Sequence, residues 1–397
     1  MWKISDSGGT RTELTGSSAL RSSALVTFAP GDNGNRLVMA NGGRMVHTDG
    51  STLTTMADAD APTEVTHVTE LDGYLIANAV GSGRAHFSAF DDFSDWNALD
   101  FVTAEAQSDD IVALGEAYRE VIMLGRESVE FFYNDGQTPF SRIQGSAQPF
   151  GIEATHSLAQ LGQSWMWLSN TRRLVTMQGR NVVEVSSPYD RLIQEFASVD
   201  DAVGYAVSVS GYQLYVLNFP TARTTLCFNL QNQMWHKWGY WESQQAQYQR
   251  FRGQSYCFAR SWNAHLVGDY ENGTLYKMDR ANFTDAGNPI RTLLRTGHLN
   301  HGVHWTKRSN CFRLWCKRGV ANADCANPQV MLRRRIDNKA NWGNERWKDL
   351  GRTGHHEPFI DWNRNGIYRT CQYELVHSDP TEFVVMGAQD NVEGLGR

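Results

Sequence analysis

The chain has 397 residues, 41% hydrophobic and 20% charged, with a formal net charge of −6. That length can bury a large core, as several domains or as one repetitive one. No run of eighteen apolar residues occurs, which excludes a membrane-spanning helix, and the opening MWKISDSGGTRTEL lacks the basic and apolar regions of a secretory signal.

The stretch WKISD (2–6) reads like LYKMD (275–279), the second strand of a hairpin. The chain is therefore expected to open halfway through a unit that a late strand completes. Six apolar strand cores follow, each ending in a small or turn-forming residue: RLVMAN (36–41), GYLIAN (73–78), EVIMLG (120–125), SWMWLS (164–169), QLYVLN (213–218) and AHLVGD (264–269). Each leads into a second strand, as in GRMVHTDG, ESVEFFYNDG and GTLYKMD. Successive offsets are 37, 47, 44, 49 and 51 residues. A four-stranded propeller blade takes about 40–50 residues. Only DRLIQEFASV (190–199) has helical spacing. Asp49-Gly50, Asn134-Asp135-Gly136 and Asn272-Gly273 mark turns. The expected fold is all-β: a propeller of six to eight blades over residues 1–285, and a C-terminal β module over 286–397 that is either the last blades or a β-sandwich.

Asp269 and Glu271 lie beside Asn272-Gly273, where two carboxylates raise the question of acid–base chemistry. No third group accompanies them, and the expected role is to bond free backbone N–H groups in a turn whose Asn-Gly supplies positive φ. Residues 1–285 carry a net −12 and residues 286–397 a net +6. The basic segment contains Lys307, Arg308, Arg313, Lys317, Arg318, Arg333, Arg334 and Arg335. Of these, Arg313, Lys317, Arg318, Arg333, Arg334 and Arg335 are candidate subunit or DNA contacts; a solvated surface is the plainer reading. Opposite charges on one chain also suit head-to-tail association.

His298, His301 and His304 recur at three-residue intervals without a geometry that would converge them on a metal, and His355-His356 reads as a surface pair. The aromatic run MWHKWGYW (234–241) places Trp235, Trp238 and Trp241 close together, for packing or for stacking a sugar or base. RIDNKANWGNERW (335–347) resembles a worn Asp-box, with Asp337 and Trp342 in place and Lys339 where the Gly belongs. Cys227, Cys257, Cys311, Cys316, Cys325 and Cys371 form no C-x-x-C pair and are expected as free, buried thiols in a reducing compartment. No phosphate-loop, dinucleotide, zinc-protease or serine-hydrolase motif occurs in the needed context. No catalytic residue, cofactor or metal is expected.

The stretches DDFSDWNALDFVTAEAQSDDIVAL (91–114), AHLVGDYENGTLYKMD (264–279), FTDAGNPIRTLLRTGHL (283–299), NPQVMLRRRIDNKANWGNERW (327–347) and HSDPTEFVVMGA (377–388) resemble the packaged-DNA stabilisation family, the tail hub or nozzle proteins of short-tailed phages (podoviruses). Members of that family usually carry a further N-terminal segment before the strand at WKISD. The resemblance implies a virion component without enzymatic activity, assembled in the bacterial host cytoplasm. It implies a homohexameric ring below the portal and its adaptor. Such a ring extends the channel for double-stranded DNA, retains the packaged genome, and mounts the tail needle or plug and the spikes or fibres. The competing readings are a glycan-binding or glycan-hydrolysing propeller, suggested by the Asp-box remnant and the Trp cluster, and a nucleic-acid-binding module built on the C-terminal arginines.

Overall fold

The computed structural model describes residues 2–4, 9–16, 20–21, 24–185 and 187–395. Two compact units form, Met1–Gly239 with Gln249–Leu275, and Tyr240–Tyr248 with Tyr276–Arg397. No helix is long and apolar enough to cross a membrane.

The first unit is a succession of sheets that are antiparallel with strand order following chain order, apart from one short parallel strand added to the first. The second is built from Val68–Leu71, Tyr74–Asn78, Arg84–Ala89 and Asp92–Thr103, and the third from Ala113–Ala117, Glu120–Leu124, Val129–Tyr133 and Ser141–Arg142. The fourth starts at Ala159–Leu161, the fifth at Val203–Val209 and the sixth at Gly253–Ala259. First strands of neighbouring sheets lie side by side, Thr27–Gly31 with Val68–Leu71 and Val203–Val209 with Gly253–Ala259 among them. Among the described residues this is a six-sheet β-propeller. The six apolar cores read from the sequence are the second strands of these sheets in turn.

Those cores are apolar without alternation because both faces of each sheet are covered. Leu75 and Ala77 pack with Val38 and Ala40 of the first sheet, while Ile76 packs with Val121 and Met123 of the third. Ile122 and Leu124 face Trp167 and Val175 of the fourth sheet. Met166 and Leu168 meet Tyr215, Leu217 and Phe219 of the fifth. The pleat thus sends alternate side chains into different interfaces.

The residue ending a second strand does a different job. Asn78 is 1% exposed. Its Oδ1 accepts from the backbone N–H of Thr66 (3.1 Å) and His67 (2.8 Å), and its Nδ2 donates to the Ile111 carbonyl at 3.0 Å, on the segment entering the third sheet. Asn218, fully buried, donates to the Gly253 carbonyl at 3.2 Å, where the sixth sheet begins. Its Oδ1 accepts from Thr225 Oγ1 (2.7 Å), which in turn accepts from Phe251 N–H (3.2 Å). Gly125 serves with its backbone, its carbonyl accepting from Ile152 N–H at 3.0 Å on the way into the fourth sheet. The second, third and fifth sheets thus each hold the chain that starts the next. Close approach adds a demand at Gly204, where a Cβ would stand 2.4 Å from the Ser157 carbonyl oxygen.

Two expectations need correction. Trp2–Ile4 pairs with Arg11–Glu13 in a separate two-stranded sheet, and Ser5 and Asp6 of WKISD lie outside the described residues. The first sheet is completed by the nearby Thr15–Gly16, which runs parallel to its fourth strand Thr52–Thr55, so no late strand enters it. The helix expected over 190–199 spans only Asp190–Gln194.

Among the described residues the second unit contains a two-stranded sheet, Thr284–Asp285 with Asn288–Pro289, and two larger sheets. One has the order Thr292–Arg295, Cys371–His377, Gln329–Ile336, Arg346–Asp349; the other Phe359–Tyr368, Lys307–Cys316, Val385–Gly394. Phe312, Leu314, Ile360 and Trp362 from the second meet Val330, Leu332, Tyr373 and Leu375 from the first in one core. Of the two arrangements open from sequence, this is the β-sandwich.

Substituting Asn218→Ala strands a buried carbonyl and a buried hydroxyl, and is expected to cost roughly 2–4 kcal/mol of stability by denaturant unfolding. A control at the exposed Asn181 is expected to change stability little. A second expectation concerns pH. His67 is buried and stacked on His156, ring centroids 5.2 Å apart, and burial first, then the His156 charge, lowers its pKa from 6.5 to about 3. The unfolded chain takes up this proton below its ordinary pKa, so the stability present at neutral pH is lost as pH falls through the window from 6.5 toward 3. The loss is about 1.4 kcal/mol per pH unit. Melts between pH 6.5 and 5 are expected to show a falling midpoint, with a shallower slope in His67→Asn.

Candidate functional site

The basic residues singled out in the sequence lie on or beside the sandwich strands, and nearly all have an internal acceptor. Arg313 faces Asp361 across the strand pair and donates from Nε and Nη2 to its two oxygens, both at 2.7 Å. This bidentate contact holds the Asp361 carboxyl below its usual range. Lys317 pairs with Glu382. Arg318 reaches Glu357 at 3.2 Å and the Phe359 and Asp349 carbonyls at 3.1 Å each. Arg333 binds Glu374, and Arg335 donates to Gln372 at 2.7 Å. Arg334 lies against Gly366, where a Cβ would be 3.0 Å from its guanidinium.

One part of this set converges. Glu374 is fully buried and accepts from both Arg295 and Arg333, its cross-strand neighbours on either side. The guanidinium carbons of Arg295, Arg333 and Arg335 stand 5.1, 5.1 and 5.2 Å from the Trp342 ring centroid. Close by in chain, Arg291 covers Trp241 at 4.2 Å, and Trp241 packs on Tyr248. Sequence reasoning found Arg333 and Arg335 but missed Arg291 and Arg295. The missing signal was their strand: Thr292–Arg295 is four residues long and pairs with a segment about eighty positions away.

The other motifs are used inside the chain. Arg252 bridges Asp269 (3.1 Å) and Glu271 (3.2 Å), and Asp269 Oδ1 accepts from Glu271 N–H at 2.7 Å. The turn closes through Asp269 N–H to the Thr274 carbonyl. Neither Asn272 nor Gly273 has positive φ, so the expected Asn-Gly turn is replaced by a longer loop that the carboxylates and Arg252 shape. Asp337 accepts from the N–H groups of Arg369 (2.7 Å) and Thr370 (3.1 Å), a fastening for the turn at 369–370. Trp235 packs on Phe228 and Trp238 on Phe251. His301 turns to Asp390 at 3.3 Å while His298 and His304 stay exposed, and among the described residues no group of His, Cys, Asp and Glu is placed to hold a metal. The six thiols are free; Cys257 is exposed and Cys311 and Cys325 half-buried, so only three are buried as expected.

A cleft of about 430 Å³ opens on the propeller between Asp72, Arg119, Glu120, Tyr133, Asn134, Ile143 and Arg180. Its ionic groups close on one another, Arg119 with Asp72 and Arg180 with Glu120. The arrangement offers structure and surface contact, with no nucleophile and base aligned in the cleft.

The model of one protein family, described as "Bacteriophage P22 Gp10, beta-propeller", matches residues 7–282. The chain belongs to this phage-stabilisation family. Its matched span contains all six propeller sheets and stops before the strands of the sandwich. No curated protein matches this phage-stabilisation chain. Among solved structures it is similar to the dihydro-heme d1 dehydrogenase NirN (TM-score 0.43, 9% identity, 64% of this chain and 53% of that one). It is also similar to Hsv2 from Kluyveromyces marxianus (0.39, 8%, 65% and 73%) and BamB from Moraxella catarrhalis (0.37, 12%, 65% and 72%). The chain spans about half the length of NirN. Family membership makes this a phage structural β-propeller, a protein of the virion.

Glu374→Gln removes the carboxylate that two arginines share. It is expected to destabilise the sandwich by about 2–4 kcal/mol. The readout is thiol labelling: Cys316 and Cys371 are buried, with pKa raised by burial to about 11 each. They should become reactive at lower denaturant in the variant, while Cys227 of the propeller keeps its wild-type profile.

Proposed function

We propose that this protein is a non-enzymatic ring subunit of a short-tailed phage tail. Six copies would form a ring below the portal adaptor, extend the DNA channel, help retain the packaged genome, and give the needle or plug and the spikes or fibres a mounting surface. The observation that carries the reading is the family match across the whole propeller. The geometry supports it, because the polar residues that invited a chemical reading are turn fastenings and ion pairs. The net −12 of residues 1–285 suits a wall past which DNA slides, since phosphate is repelled rather than held. A glycan-active propeller draws no support from the same features: the Trp cluster packs on neighbouring aromatic rings, and Asp337 binds backbone.

The test is the mass and symmetry of the purified chain with its adaptor. A particle of about six times 44.7 kDa, ring-shaped in negative stain, and tail-labelling of virions by antibody are expected. A chain that stays monomeric with the adaptor and is missing from virions overturns the reading.

A further inference from the structure

The stretch 91–114 carried part of the family resemblance, and no role described so far uses its residues 95–100. Its strand Asp92–Thr103 is the outer edge of the second sheet. The ladder to Arg84–Ala89 is regular from Arg84↔Thr103 to His86↔Phe101, then resumes at Ser88↔Trp96. Residues 97–100 are therefore looped out against Phe87 alone, a bulge far larger than one residue. The loop is well anchored. Trp96 is 4% exposed, its Nε1 donates to the Phe93 carbonyl at 3.0 Å, and Asn97 Oδ1 accepts from Leu99 N–H at 3.1 Å. At its tip Leu99 is 77% exposed, beyond any other large apolar side chain described. Asp95 and Asp100 flank it, and among the described residues neither pairs with a Lys or Arg. A preordered acidic loop that spends an apolar side chain on solvent is built for contact.

The complementary surface is the guanidinium cluster of the sandwich. Arg291, Arg295, Arg333 and Arg335 outnumber Glu374 and Glu345 there. Arg291 and Arg335 have no carboxylate partner among the described residues, and the half-buried Trp342 offers an apolar face.

We propose that the loop 97–100 of one copy docks on the Trp342 cluster of a second copy of this chain, Leu99 against the indole and Asp95 and Asp100 against the arginines. The inference rests on the ring reading and names its contact. Charge decides the symmetry: loop against loop and cluster against cluster both repel, so a two-fold pairing of either surface with itself is disfavoured. Loop against cluster is heterologous, each copy using both surfaces once, which is the contact type a ring requires.

The experiment uses the full chain at low salt, with sedimentation velocity and mass photometry. Wild type should associate, and more weakly as salt rises. Asp95→Arg with Asp100→Arg, Leu99→Asp alone, and Arg335→Glu alone should each weaken association at least about tenfold with unchanged melting. The decisive arm mixes the Asp95→Arg/Asp100→Arg chain with the Arg335→Glu chain. Each retains one sound surface, so the mixture should form pairs that grow no further. Wild-type rings with variants that assemble normally, or a mixture without pairs, overturn the docking and leave the ring reading standing. A wild type that associates neither alone nor with its adaptor overturns both. Loss of duplex-DNA binding in Arg335→Glu with assembly intact assigns the cluster to nucleic acid and also overturns it.

Discussion

The constraint on which the propeller depends is the passage of the chain from one sheet to the next. A blade ends at its outer edge, and the chain must return to begin another beside it. The returning segment brings backbone N–H and carbonyl groups into a buried place with no ladder of their own. Asn78 and Asn218 solve this by presenting an amide, one donor side and one acceptor side, at or next to the end of a mostly apolar strand. An aliphatic residue there would leave two or three groups unpaired, and a charged one would be desolvated without a counterion. Gly125 answers the same need by letting backbone approach backbone. The apolar packing between sheets is larger in total, but it is non-directional; the amides fix where each sheet starts.

This arrangement leaves little of the sheets for chemistry. Both faces of the middle strands are consumed by neighbours, so polar side chains are confined to turns, outer edges and the ends of strands. At those places the ions mostly neutralise each other. The Arg252 bridge to Asp269 and Glu271 and the Arg119 and Arg180 pairs of the cleft all trade reactivity for shape. The sandwich follows the same economy with Arg313 and Asp361. Among the charges without an ion partner are the acid on the outer edge of the second sheet and the excess guanidinium around Trp342.

The propeller was legible because its repeat is written in local pattern. Each second strand is a run of four or so apolar residues closed by Asn, Gly, Ser or Asp, and at Asn78, Gly125 and Asn218 that closing residue is the one that joins sheets. The outer strands were harder to place, since they are short, exposed and set by pairing alone. The sandwich was not decidable from sequence, because its partners are distant: Arg313 and Asp361 are 48 positions apart, Arg295 and Glu374 are 79. Counting basic residues therefore found charge without finding its neutralisation. The turn at Asn272-Gly273 misled for a related reason. The dipeptide permits a left-handed turn, but an Arg252 bridge to two carboxylates holds a longer loop, and the tertiary contact prevailed.

A structural ring protein has to satisfy two demands that pull apart. Its surface must not hold the DNA that passes, and its subunits must hold each other. Exposed ion pairs alone serve the second demand poorly, since salt screens them and each is worth little. An apolar side chain at the centre of a charged patch changes that balance: in the proposed docking, burying Leu99 against an indole would exclude water from the flanking carboxylates and guanidinium groups and strengthen their attraction. In the proposed ring, the acidic excess elsewhere on the propeller would keep phosphate away at no expense to assembly. Segregated charge with one apolar anchor is thus a way for one chain to be cohesive toward its own copies and repellent toward its cargo.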